Sequence, residues 1–493
     1  MNEESGLSNI REKSVRSVFW VYFSNIILKG MGLIITLILA KILFPEDFGL
    51  IAIATVIIGF IQSTTKLGLD GAIIQRYKLD KEAISTCFFS ILCMSLTMTL
   101  ITILIAPYVS SFYESEQLTG IIRWLSLTIL FTSIGMVPAS LLEKKLSFKK
   151  KFFSEVIPNI LYAFVTILLA FIGLGVMSIV FGQIIARGFE MLMVFILQPI
   201  RLVFKINKQI FKEMFVYGKE LLILSYLTYF VLNFDNLFVG KILGTVQLGF
   251  YAVAYNIANF PATHITNVIH RVSFPFYAKV QKNKELLREG FFKIITFTCF
   301  FSIPLATGII FFGGYILISL YNDKWLALII PLQILSVMGF LRGIGANFSS
   351  FFCAIGKPKF VRHVTLLMVI IMIITIYPLT KWFGIIGTAS CILLLAAVSS
   401  SLLFYKGIKE LEITIRQIWV LVRVFVLGTA ITMIVLYLLR ITVFKNANIL
   451  NVVSLLACAI LVYLGTIYYF DKTFFKQIKN IKTYFQTKKS LYD

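Results

Sequence analysis

Residues 84–106, ISTCFFSILCMSLTMTLITILIA, form a run without one charged side chain. At ~1.5 Å per residue such a run is long enough, as a helix, to cross the ~30 Å hydrocarbon core of a bilayer. Thirteen further runs of similar length fall at 18–40, 48–69, 121–142, 153–173, 176–198, 221–243, 247–270, 291–317, 327–352, 362–380, 384–405, 417–439 and 449–470. Barrel strands would be shorter and would alternate in polarity, so helices are expected. The chain is 59% hydrophobic and 14% charged over 493 residues, too little polar surface for soluble domains. These features predict an all-α polytopic membrane protein with about fourteen transmembrane helices.

The formal charge of +23 is spread through short connections rather than gathered on one soluble face. With both termini placed in the cytoplasm, 34 of the 46 Lys and Arg residues fall in inner segments or at their edges. Only Lys41, Lys241, Lys324, Lys381, Arg440 and Lys445 fall in outer loops. This alternation follows the positive-inside rule and points to anionic lipid headgroups, with no nucleic-acid partner. Trp20, Trp124, Trp325, Trp382 and Trp419 lie near span ends, where an indole prefers the interface. The charged stretch MNEESGLSNIREKSVR (1–16) precedes an apolar run too long for a signal peptide, so the first span is expected to be retained.

A repeat divides the chain. Residues 40–54, AKILFPEDFGLIAIA, align without gaps on 240–254, GKILGTVQLGFYAVA, and both segments lie at the outer turn opening a half. Six spans separate them, an even number, so both halves should enter the membrane in the same direction. The expected organisation is a six-helix lobe (1–200), a cytoplasmic amphipathic linker (201–220), a second six-helix lobe (221–406), two extra helices (407–470) and a basic tail (471–493). A pseudo-two-fold along the membrane normal would relate the lobes across a cavity. In the linker, Phe204, Phe211 and Phe215 can share a face opposite Lys205, Lys208 and Lys212. In the tail Phe474, Ile478, Ile481 and Phe485 recur at helical spacing, so both segments suit the membrane surface.

Ionisable and amide groups inside a bilayer are costly and mark function or pairing. The first span carries Asn25, Lys29, Gly32 and Thr36 on one face, and the second carries Thr55, Gly59, Gln62 and Lys66 with Asp70 a turn further. The seventh offers Ser225, Thr228 and Asp235, and the eighth Asn256, Asn259, Thr263, Asn267 and His270. Candidate substrate-binding residues are therefore Asn25, Lys29, Gln62, Lys66, Asn256, Asn259 and Arg342, with Asp235 and Asp70 as candidates for an ion-coupling role. Structural alternatives stand beside these. Lys66 and Asp70, or Arg187 and Glu190, are spaced to form local ion pairs, and Arg123 and Arg423 can snorkel. Arg342 has Asp235 as a candidate partner across the cavity.

No GxxxxGK[ST] loop, HExxH pattern or nucleophile elbow occurs, and no outer loop exceeds about 15 residues. The six cysteines lie in or beside apolar runs without metal-ligand spacing. The expectation is a transporter, not an enzyme, with no cofactor or metal; a coupling H⁺ or Na⁺ is left open.

The stretch LAKILFPEDFGLIAIATVIIGFIQSTTKLGLDGAIIQR (39–76) resembles the N-terminal signature of bacterial polysaccharide flippases, within the superfamily that also holds the multidrug (MATE) transporters. FDNLFVGKILGTVQLGFYAVAYNIANFP (234–261) is similar to the start of that family's second half. The resemblance implies two six-helix lobes alternating between inward- and outward-open states in the bacterial inner membrane. It implies an undecaprenyl-pyrophosphate-linked oligosaccharide as substrate and membrane lipids, a polysaccharide polymerase or export machinery as partners. Members exporting colanic-acid and teichuronic-acid type polymers look nearest. The rival readings are a cation-coupled small-molecule antiporter and, from another class, a membrane-embedded glycosyltransferase or polymerase.

Overall fold

The computed structural model describes residues 20, 23–25, 27–76, 80–204, 206–442 and 449–470. The helices are α1 (Phe23–Ile42), α2 (Pro45–Thr65), α3 (Leu69–Gln75), α4 (Lys81–Phe112), α5 (Gln117–Lys144), α6 (Phe148–Phe171) and α7 (Met177–Leu197). They continue as α8 (Lys208–Val280), α9 (Lys284–Tyr321), α10 (Ile329–Ala354), α11 (Pro358–Leu411), α12 (Ile415–Thr442) and α13 (Ile449–Phe470). Twelve of these segments are long and apolar enough to cross a membrane. Two of the twelve turn back at a glycine in the left-handed region, Gly244 in α8 (φ 83°) and Gly384 in α11 (φ 61°). Divided there, α8 and α11 each give two helical segments, at the places where the sequence predicts separate spans. A side chain at these φ values would be strained, which is why glycine makes both turns.

The equivalent turn of the first half is built differently. Phe44 is extended (φ −92°, ψ 158°), Pro45 supplies the first helical residue, and the Asp47 carboxylate accepts the Phe44 N–H at 2.8 Å. One position of the repeat, 44 and 244, thus reverses the chain by proline and a carboxylate cap in one copy and by glycine in the other.

The chain divides into two compact units. The first comprises Met1–Val253 with Ile376–Thr388, the second Ala254–Thr375 with Ala389–Asp493. In the first, α5 is the central helix, packed by α2, α3, α4, α6 and α7. Ile121, Leu125 and Ile129 recur every four residues and are buried, and Ser126, Ser133 and Ser140 keep another strip narrow enough for close approach. Exposed Leu96, Leu100 and Leu104 line an outward face of α4, the surface a lipid tail would cover. In the second unit, α9 packs against α10, α12 and α13. Its core is aromatic: Tyr277, Phe291, Phe348, Phe351 and Phe352 bury together, with Phe291 and Phe348 centroids 4.8 Å apart.

The linker corrects one expectation. Its helix begins at Lys208 and runs unbroken into α8, and its buried residues are Ile210 and Met214, packed with Leu69, Ile73 and Cys87 of the first unit. Phe204 precedes the helix, so helical spacing does not apply to it, and it is 93% exposed. Upstream, Val203 N–H donates to Ser85 Oγ and Asn207 N–H to Thr86 Oγ1, pinning the linker to the start of α4. The segment is thus anchored to protein as well as suited to the membrane surface. The tail expectation at 471–493 lies outside the described residues. Trp325 lies in the 3₁₀ turn (Asn322–Leu328) between α9 and α10, near a span end as expected, but it is 1% exposed and packs on Tyr321.

The end of α11 carries an ionic clamp in the second unit. Glu412 turns the chain in the left-handed region (φ 51°), and Lys284 and Arg288 both hold its carboxylate, Arg288 at 2.6 Å. Arg288 Nε also donates to the Leu411 carbonyl. The Lys284 ammonium, reinforced by Arg288, holds the Glu412 carboxyl below its ordinary value of 4.5. A depressed carboxylate stabilises the fold above the unfolded value and ceases to do so as pH falls through the folded one. Glu412→Gln should therefore lower the unfolding temperature at neutral pH, and the gap to the parent should close as pH drops below 4.5. A gap that persists in acid would show that the clamp is not ionic; thermal unfolding in detergent across pH measures it.

Candidate functional site

Much of the polar character in the spans is spent inside single helices. Thr36 Oγ1 donates to the Gly32 carbonyl at 2.9 Å, Thr55 Oγ1 to Ile51 at 2.7 Å, and Asn233 Nδ2 to Tyr229 at 2.9 Å. Each satisfies its donor without a second helix, as Ser and Thr do in membranes. The groups that reach beyond their own helical turn are the informative ones.

In the first unit, Gln62 Nε2 donates to Thr128 Oγ1 of α5 at 3.3 Å, so this amide serves helix packing. Lys66 caps the end of α2 and is half-buried. The helical spacing of Lys66 and Asp70 does not survive, because Leu67 (φ 52°) and Gly68 (φ 67°) turn the chain between them. Asp70 instead lies in the first turn of α3, where its carboxylate accepts the Gly71 N–H at 2.9 Å. On α1, Asn25 is half-buried and Lys29 exposed. Arg187 and Glu190 do form their local ion pair.

Asp235 is the most deeply buried acid among these candidates, at 1% exposure. Its Oδ2 accepts the Tyr251 hydroxyl at 2.6 Å, and its Oδ1 accepts the Asn236 N–H at 2.9 Å. Tyr251 is fully buried and lies beyond the Gly244 turn, so this bond ties the two halves of α8 together. A carboxylate so buried is costly unless hydrogen-bonded or neutralised, and these two bonds meet that need. Beside it, Asn236 Oδ1 is buried without a hydrogen-bond partner among the described residues.

In the second unit, Arg342 lies mid-way along α10. Its guanidinium donates to the Tyr255 hydroxyl at 2.8 Å and reaches Asn259 Oδ1 at 3.5 Å. Asn256, between them, is exposed. A cavity of about 170 Å³ adjoins Arg342 and is lined by Ser349, Thr365, Ser399 and Ser400 among apolar side chains. The arrangement joins one fixed cation to hydroxyls and an amide, groups that pair with phosphate oxygens and sugar hydroxyls. Arg342 and Asp235 belong to different units. The side chains of Thr228, Thr263, Asn267 and His270 fall outside the described residues.

Sequence reading passed over two residues of these clusters and one paired acid elsewhere in the first unit. Tyr251 and Tyr255 read as apolar in a hydropathy scan, yet their hydroxyls complete both clusters. Glu155, eight residues into α6, accepts Ser24 Oγ of α1 at 3.0 Å and pairs with Lys151 at 3.5 Å. The signal was present, as Glu155 is the one acid within 153–173.

Long, continuously apolar helices with polar groups paired inside them define a multi-pass membrane protein. Residues 38–330 match the family model described as "Polysaccharide biosynthesis protein", and the chain belongs to that family. It is 24% identical to the lipopolysaccharide biosynthesis protein WzxC of Escherichia coli K12, over 81% of this chain and 82% of that one. It is likewise 24% identical to the teichuronic acid biosynthesis protein TuaB of Bacillus subtilis, over 57% and 59%. Among solved structures, the lipid II flippase MurJ in an inward closed conformation aligns with a TM-score of 0.71 at 18% identity, covering 94% of this chain and 100% of that one. At that identity the likeness establishes the shared fold.

Removing the Tyr251 hydroxyl leaves a buried carboxylate short of a donor, a loss of about 1–3 kcal/mol. Tyr251→Phe should therefore lower the unfolding temperature in detergent, and Asp235→Asn should cost less in the Tyr251→Phe background than alone. Additive effects in that double-mutant cycle would show that the two side chains do not interact.

Proposed function

We propose that the protein is a flippase that carries undecaprenyl-pyrophosphate-linked oligosaccharide repeat units from the cytoplasmic to the outer leaflet by alternating access, for surface polysaccharide export. The observation that carries this reading is the Arg342 cluster with Tyr255 and Asn259, a fixed cation among hydroxyl and amide groups inside an otherwise apolar helix bundle. Family membership and the fold of a lipid II flippase support it. The headgroup of such a lipid needs charge for its pyrophosphate and hydrogen bonds for its sugars, while its tail stays in hydrocarbon. Lys29, exposed on α1, is the alternative cation for the pyrophosphate. We place both termini in the cytoplasm and the protein in the inner membrane, on the strength of the Lys and Arg distribution. A polymerase or export assembly then receives the flipped unit.

Asp235 favours a second feature, coupling to H⁺ or Na⁺, because its burial ties its charge state to the joint between the halves of α8. Asp70 is less suited, since its carboxylate serves a backbone turn. A cation-coupled antiporter of small molecules would use Asp235 and leave Arg342 without a role.

Deletion of the gene in its native host, followed by leaflet-resolved analysis of undecaprenyl-linked glycans, separates these readings. Completed repeat units should accumulate in the inner leaflet, re-expression should clear them, and Arg342→Ala should fail to do so at normal membrane abundance. Unchanged lipid-linked pools with intact surface polymer would favour the antiporter, and a truncated glycan would favour an enzyme.

A further inference from the structure

In the second unit the start of α9 and the end of α11 enclose a charged cleft. Lys284 and Glu412 of the ionic clamp line it together with Lys406, Lys409 and Glu410, around a space of about 240 Å³. One water needs only ~10–15 Å³, so a polar group of several heavy atoms fits. Every lining side chain is charged, and both acids are already engaged. Glu412 accepts Lys284 on Oε1 and Arg288 on Oε2, and Glu410 Oε1 accepts Lys357 Nζ at 2.6 Å. Lys284 has three N–H donors and keeps two after its bond to Glu412. Lys406 and Lys409 are exposed, and their ammonium groups have no hydrogen bond or ion pair among the described residues. The cleft thus offers three ammonium groups whose neighbouring carboxylates are taken, which is the chemistry of an anion site.

The surface on either side says which anion. Beyond Gly384, α11 presents Leu394, Leu402, Tyr405 and Lys409 within about 80° of arc at 100° per residue, and all four are exposed. Past the elbow, Ile415 and Trp419 lie four apart on α12 and are exposed too, at 67% and 56%. Apolar side chains therefore lead along both helices up to the lysines. Tyr405 and Trp419 stand at the span ends, where aromatic rings meet headgroups. A soluble phosphate would use the lysines and leave these stripes bare, whereas a phospholipid uses both.

We propose that the cleft is a specific binding site for one anionic phospholipid. Its phosphate sits on Lys284, Lys406 and Lys409, and its acyl chains lie along the exposed stripes of α11 and α12. The topology proposed above puts the cleft at the cytoplasmic leaflet, where basic pockets between helix ends meet anionic headgroups. A bound phosphate joins α9 to the end of α11 by charge, adding to the clamp at Glu412.

The test counts lipids on the full-length protein in detergent by native mass spectrometry, with phosphatidylglycerol, phosphatidylcholine or inorganic phosphate added. One phosphatidylglycerol should bind at least about tenfold more tightly than phosphatidylcholine, and combining Lys406→Ala with Lys409→Ala should abolish that preference. Lys406→Arg with Lys409→Arg, which keeps both charges, should retain it. Lys208→Ala with Lys212→Ala removes the same charge from two exposed lysines of the linker and should also retain it. An equal loss in the linker variant would reduce the site to general surface charge and overturn the proposal. So would the lack of any preference in the parent. Displacement of phosphatidylglycerol by an equal concentration of inorganic phosphate would overturn it as well, in favour of a soluble anion. Should the alanine pair fail to purify, Lys409→Ala alone should weaken phosphatidylglycerol binding at least about threefold, and no change would reject the site. Binding in detergent is read without a bilayer or a glycan, so this result stands apart from the topology and from the flippase reading.

Discussion

A hydroxyl, amide or charge held inside a hydrocarbon layer must find its partner within the chain, because no water is there to supply one. That constraint arranges most of this molecule. Threonines such as Thr36, Thr55, Thr102 and Thr432 return their hydroxyls to the preceding turn of their own helix. Gln62 reaches Thr128, and Asn347 reaches Thr298 at 2.8 Å, each fixing one helix against another. The remaining groups, Asp235 with Tyr251 and Arg342 with Tyr255 and Asn259, are too costly to serve packing alone. They are the groups from which the proposed transport site is built.

The same economy shapes the backbone. Helices that approach closely do so over serine and glycine, and α5 serves as the axis of the first unit because small and large residues alternate on its faces. The second unit fills its core with tilted and edge-on aromatic rings and closes the α11–α12 elbow with charges. The breaks at 244 and 384 use a glycine at positive φ and the turn at 45 a proline with a carboxylate cap.

Span number and placement were readable from the sequence, since run length and Lys/Arg distribution report them without tertiary information. The repeat at 40–54 and 240–254 was readable too. The candidate site was only partly legible. A list of polar residues on a helical face does not say whether a threonine hydroxyl turns back to its own helix, so Thr36 and Thr55 were overvalued. Helical spacing linked Lys66 to Asp70 because nothing in their composition announced the positive-φ turn at Leu67 and Gly68. Tyrosines were undervalued because hydropathy counts the ring and not the hydroxyl. The linker was read by its phenylalanines, whereas Ile210 and Met214 form the buried face, a choice made by the core of the first unit.

Family, fold and the Arg342 cluster converge on transport of a lipid that carries charge and sugar on its headgroup. The most direct test reconstitutes the purified protein into liposomes with a fluorescent undecaprenyl-pyrophosphate-linked oligosaccharide and follows its accessibility to a membrane-impermeant quencher. The account predicts that protein-containing vesicles make the inner-leaflet lipid accessible with time, and that Arg342→Ala vesicles do so far more slowly. Equal accessibility in parent, variant and protein-free vesicles, under either a proton or a sodium gradient, would contradict it.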